Sequence, residues 1–135
     1  MSTHDLLNDP SVLIVKRLIL VGIVASLAHF IDNAFEIGRY PEPASITPGI
    51  VLFAYIPNAV VATTALLRKN GDLVFVALCA IFGLLLLTGL AHYLYGSPFK
   101  MDGTSNFTIV FEALSGVALL TVLFRSIARP ATRHS

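Results

Sequence analysis

LILVGIVASLAHFIDNAFEIGRYPEP, residues 18–43, decides how this chain is read. It begins as an apolar run, then carries His29, Asp32, Asn33 and Glu36 before two prolines interrupt it. Such a stretch is either the frayed end of a soluble helix or a set of ionisable groups carried into a membrane. Composition chooses between them. Of 135 residues, 56% are hydrophobic and 13% charged, against about 25% charged in soluble chains. A domain of this size buries only about 60–70% of its surface, so no core of its own could hide that much apolar area. Lipid must cover the rest, and an integral membrane protein is expected.

Apolar runs of about 20 residues cross a ~30 Å hydrocarbon layer. Four runs fit: 13–35, 48–67, 73–95 and 107–127. Pro48 suits a helix start, where its missing N–H would be unpaired anyway. Asn70-Gly71-Asp72 signals a tight turn, Gly96-Ser97-Pro98 stops the third run and Pro130 the fourth. The linking loops are short, so neighbouring spans run antiparallel. The predicted fold is therefore all-α: an integral membrane four-helix bundle, up-down-up-down, with residues 1–135 as a single four-span domain. No internal repeat, heptad or low-complexity tract is visible. Small residues at Gly22, Ser26, Gly83, Gly89 and Ser115-Gly116 suit close helix packing. A signal peptide over residues 1–28, cleaved after Ser26-Leu27-Ala28, is the rival reading. Its long leading region with Asp5 and Asp9 counts against it.

Orientation follows from the basic residues. Lys16, Arg17, Arg68, Lys69, Arg125, Arg129 and Arg133 fall on one side, and only Arg39 and Lys100 on the other. Both termini and the 68–72 turn are thus expected in the cytoplasm, in a plasma (inner) membrane, with the 37–47 and 96–106 loops outside. The net charge of +1, with basic residues in ones and twos, gives no footprint for nucleic acid. Cys79, the single cysteine, excludes an intrachain disulfide.

Ionisable residues within a span are costly and usually mark function. Counting helical rise from the span edges places His29 ~13 Å, Asp32 ~9 Å and Glu112 ~7 Å below the outer surface. Tyr55, Asn58 and Ser115 fall at ~10–15 Å by the same count, and His92 near the surface. All four spans thus put polar groups in the outer half. His29, Asp32, Asn33 and Glu36, spaced i, i+3, i+4, i+7, share one helix face. Pro57 beside Asn58 is expected to kink the second span and free a carbonyl. An outward-facing polar pocket follows. Tyr40 and Tyr93 read as interfacial anchors.

Three chemistries fit such a pocket. One is acid–base catalysis of isomerase, cyclase or hydratase type on an apolar, lipid-like substrate. Glu112 would be the acid, Asp32 and His29 the base and its orienter; Tyr55, Asn58, His92, Asn33 and Ser115 would position the substrate. In outline this resembles the four-helix sterol-isomerase and emopamil-binding group, which also sets acids inside a small bundle, although no motif of that group aligns residue by residue. A metal or haem site is the second. His29, Asp32, His92 and Glu112 are acceptable ligands, but His29 and His92 differ in depth by ~9 Å or more on the helical rise. No phosphate loop, dinucleotide fingerprint or CxxC is present either. No metal and no cofactor are therefore expected. The third is non-enzymatic: a proton-coupled transporter like the small dimeric exporters, or an accessory subunit of a larger membrane complex. Expected partners are membrane lipid, an apolar small molecule, and further copies of the chain or a larger complex.

Overall fold

The computed structural model describes residues 6–41, 43–69 and 71–128. Asp5, Glu42, Asn70, Arg129, Pro130 and Arg133, which the sequence reading used, lie outside them. All the described elements are helical. α1 (Asp9–Phe35) is capped by Asn8, whose Oδ1 accepts the Ser11 N–H at 3.0 Å, and has a proline in its first turn. α2 (Pro48–Leu67) opens on Thr47, which accepts from Ile50 N. α3 (Leu73–Leu85) is capped by Asp72 through Phe75 N at 2.8 Å. α4 (His92–Tyr95) is a single turn, and α5 (Gly103–Ala128) follows Asp102, which accepts from Ser105 N at 2.8 Å. α1 and α5 each begin four residues before the apolar run that announced them. Side-chain caps carry a helix past its hydrophobic segment.

Four stretches, Pro10–Phe35, Pro48–Leu67, Leu73–Tyr95 and Gly103–Ala128, are long and apolar enough to cross a membrane. The third is not one helix. α3 stops at Leu85, a 3-10 turn covers Thr88–Ala91, and α4 completes the stretch. The Thr88 hydroxyl donates to the Leu85 carbonyl at 2.6 Å, taking up an oxygen that a continuing helix would have paired. α2 is a single helix with Pro57 inside it, and the proline, lacking an N–H, leaves the carbonyl four residues earlier without its helical partner.

α1 packs on α2 and α5, and α3 packs on α2 and α5, so the long helices form a ring in which α1–α5 is the most extensive contact. Along α1, Val12, Val15, Ile19, Gly22, Ser26, His29 and Asn33 are buried at alternating spacings of three and four, with Ala25 and Ala34 buried beside that stripe. Ser105, Thr108, Glu112, Ser115 and Leu119 repeat it on α5. Such a seam lets two helices interlock along their length. The half of the bundle near the 68–72 turn is filled by Ile19, Phe75, Phe82, Leu86, Leu119 and Leu123, all fully buried. At that end Lys16 donates to the Arg68 carbonyl, Arg68 pairs with Asp72, and Leu6 N and Leu7 N both donate to Gly71 O. Outward faces carry large apolar side chains, among them Val24, Phe53, Leu114 and Phe124, at 59–72% exposure. That surface suits lipid better than water, and the four helices are compatible with a small membrane protein.

The helices meet closely where glycine permits it. A Cβ on Gly116 would stand 2.8 Å from the Gly83 carbonyl oxygen and 2.9 Å from Leu86 Cβ. Backbone cannot yield there as a flexible side chain could. Gly116→Val is therefore expected to cost about 1–3 kcal/mol, the usual range for overpacking. Gly38→Ala, which meets nothing within 4 Å, should change stability by less than about 0.5 kcal/mol. Unfolding in mild detergent, followed by circular dichroism, compares the two.

Candidate functional site

The α1–α5 seam turns polar as it approaches the end that carries the Glu36–Thr47 and Gly96–Asp102 loops. Glu112 of α5 is fully buried, and its Oε2 lies 3.9 Å from Nε2 of His29, itself buried on α1. Ser26, one turn before His29, is close enough to the carboxyl group to interact with it, but no well-formed hydrogen bond within the protein satisfies either Glu112 oxygen, Ser26 Oγ or His29 Nδ1. Buried polar atoms are seldom left so, and four gathered on one seam single this place out. The 3-10 turn closes over it. A Cβ on Gly89 would stand 2.7 Å from Glu112 Oε2 and 3.5 Å from His29 Nε2. With glycine there, the backbone approaches the pair this closely without displacing the Glu112 carboxyl group.

His92 corrects the depth count. Its ring centroid lies 5.3 Å from that of His29, and its Nε2 3.3 Å from the Asn33 amide nitrogen. Counting by rise assumed a straight third span. Because that span breaks after α3, His92 rides on a separate turn and meets His29.

Tyr40 is a second correction. It is no interfacial anchor: it is buried, with its ring 4.9 Å from His92 and 5.7 Å from His29. Its hydroxyl donates to Asp32 Oδ2 at 2.6 Å and lies 3.3 Å from Thr108 Oγ1. Asp32 is therefore hydrogen-bonded to Tyr40, and no hydrogen bond joins it to His29, whose orienter it was expected to be. The loop is brought back by exposed charges. Arg39 reaches Glu36 at 3.2 Å and Asp102 at 3.0 Å. Asp102 is held below the usual carboxylate range, by the Ser105 N–H first and by Arg39 as well. Tyr93, the other expected anchor, donates to Asn106 at 2.9 Å.

Beside this cluster a cavity of about 290 Å³ lies between α1, the first half of α2 and residues 88–95. His29, Asn33, Thr88 and His92 supply its polar groups; Phe30, Ile50, Ala54 and Tyr95 are among its apolar ones. Of the site residues read from the sequence, His29, Asn33 and His92 thus line the cavity. Glu112 and Asp32 do not line it: Glu112 lies against His29, and Asp32 is bonded to Tyr40. Tyr55 packs its ring on Phe30 at 5.4 Å, and Asn58 is buried with its Oδ1 unpartnered. Ser115 spends its hydroxyl on the Phe111 carbonyl of its own helix at 2.8 Å. None of these last three lines the cavity. Sequence reasoning missed Tyr40, Thr88 and the active part of Gly89. An isolated glycine followed by a histidine within an apolar run was the available signal. Among the described residues, no three His, Cys, Asp or Glu side chains converge as a metal ion requires. Comparison with protein families, with curated proteins and with solved structures finds no match.

Burial first, and then the bond to Asp32, raise the Tyr40 phenol above its ordinary value. A group raised in the folded state contributes stability that is intact below its unfolded value, about pH 10, and is lost as pH climbs through the folded one. Thermal stability should therefore fall above about pH 10 in the wild type, and Tyr40→Phe should flatten that alkaline slope. Melting curves across that range read the difference.

Proposed function

We propose that this chain is a small plasma-membrane protein with both termini cytoplasmic, whose outward-facing pocket performs proton-transfer chemistry of isomerase or cyclase type on an apolar, lipid-like molecule. The observation that carries the reading is the placing of His29. It lines a mostly apolar cavity, and the enclosed carboxyl group of Glu112 lies 3.9 Å from its Nε2.

The roles follow from position. His29 is the group able to touch a bound molecule and to take or give a proton. Glu112, which does not line the cavity, acts through His29 as the store for that proton. His92 and Asn33 orient the polar end of the substrate. Tyr40 and Asp32 fix the two imidazoles from the other side. The apolar wall keeps water from the reacting group. Two observations weigh against a transport path. The polar groups gather at one end, and the other half of the bundle is an apolar core that includes Phe75, Phe82, Leu119 and Leu123.

Topology is tested by labelling. In a Cys79→Ala background, a cysteine at Gly38 should react with an impermeant maleimide added to intact cells, and one at Lys69 should react only after lysis; the reverse pattern overturns the orientation. Chemistry is tested by incubating membranes that contain the protein with total neutral lipid in deuterium oxide. Mass spectrometry should find deuterium in a neutral lipid species, falling at least tenfold in His29→Gln and Glu112→Gln while both variants accumulate normally. Deuterium no higher than in membranes lacking the protein, or variants that fail to accumulate, would return the cluster to a purely structural role.

A further inference from the structure

We propose that the cavity takes a neutral amphiphile with a single oxygen function (an alcohol, ketone or ester head) and that this molecule enters sideways from the outer leaflet, between α2 and residues 88–95. The inference rests on the pocket reading above and narrows its substrate class. Its first ground is charge. Among the described residues, no Lys, Arg, Asp or Glu lines the cavity. Arg39, Lys100 and Asp102 border a separate, open recess at the loop end. An anionic head would enter without a counter-charge, and so would an ammonium, because Glu112 is enclosed behind His29 and Gly89. Burying an unpaired charge is far costlier than burying a hydroxyl or carbonyl that is hydrogen-bonded. The imidazoles, the Asn33 amide and the Thr88 hydroxyl supply hydrogen bonds of that neutral kind.

Shape is the second ground. α2 packs along α1 and α3 but makes no extensive contact with residues 88–95, so the break after Leu85 leaves a gap between these flanks. Ala54 on α2 and Ala91 on the facing segment both line the cavity and are both exposed. Two small side chains therefore edge an opening between stretches that are apolar enough to cross a membrane. Pro43 and Ile46 of the loop border the same cavity. A volume of about 290 Å³ is at the lower limit for a drug-sized ligand. It holds a head and its first carbons, and the tail lies in the gap.

The chain has no tryptophan, so Tyr95→Trp places a sole tryptophan, excitable apart from the remaining tyrosines, on the cavity wall. In phosphatidylcholine vesicles at pH 8, 9,10-dibromostearyl alcohol should quench it saturably. Half-saturation should come at a mole fraction at least tenfold lower than for dibromostearic acid or the matching amine. Adding Ala54→Phe should weaken the alcohol at least fivefold without shifting thermal unfolding. Phe124→Trp, on the outward apolar face, should show only non-saturating quenching. Acid or amine quenching as strong as that of the alcohol, or a Tyr95→Trp response identical to that of Phe124→Trp, overturns the proposal. Saturable alcohol binding without deuterium incorporation would keep this site and remove the acid–base reading. Deuterium incorporation without selective alcohol binding would do the opposite.

Discussion

Enclosing the Glu112 carboxyl group between α1 and α5 is the constraint around which this structure is arranged. With no exposure at all, the group cannot draw on water, and a buried carboxyl without partners is costly in protein and lipid alike. The long helices answer with small or polar side chains at matching heights. The interlocking stripe of α1, apolar from Val12 to Gly22, continues as Ser26, His29 and Asn33 where it comes level with Glu112. The third span gives up its helix at Leu85, and so brings Gly89 instead of a side chain against the carboxylate. The same break delivers His92 to His29. One buried acid thus accounts for the choice of residues on α1 and for the place where α3 ends.

The loops at this end act by position more than by energy. Arg39 is half exposed, and exposed ion pairs contribute only about 0–1 kcal/mol. Its contacts with Glu36 and Asp102 nonetheless tie the α1 exit to the α5 entry. Tyr40 is the next residue, and that tie sets its hydroxyl on Asp32 and its ring against both imidazoles. The bonded partner of Asp32 is therefore supplied from outside the helix, by the returning chain.

How much of this could be read from the sequence depends on what lipid does to pattern. Length and apolar content suffice to find four helical stretches, because each is long and apolar enough to cross a hydrocarbon layer. The interlocking seam on α1 stayed hidden because the outward face is as apolar as the inward one. Val24 and Leu20 are exposed where Ile19 and Ala25 are buried, so hydrophobicity alone carries no period. In a soluble helix the contrast would have shown it. His29, Asn33 and Glu112 were legible because polarity is rare within an apolar run. Tyr40 and His92 were misplaced for a different reason. Their positions depend on a loop that doubles back and a helix that breaks, and neither leaves a periodic trace.

The two ends of the bundle also differ in what they can do. At the 68–72 end the charges of Lys16, Arg68 and Asp72 are spent on one another and on backbone, and the interior behind them is close-packed and apolar. At the other end, polar atoms of Ser26, His29 and Glu112 are enclosed without partners, next to a cavity. Stability alone favours the first arrangement, since filling the second with apolar side chains of similar volume would remove the desolvation cost. A fold that closes one end so economically has the means to close the other in the same way. That it keeps an acid, two imidazoles and a gap there is the argument for a site.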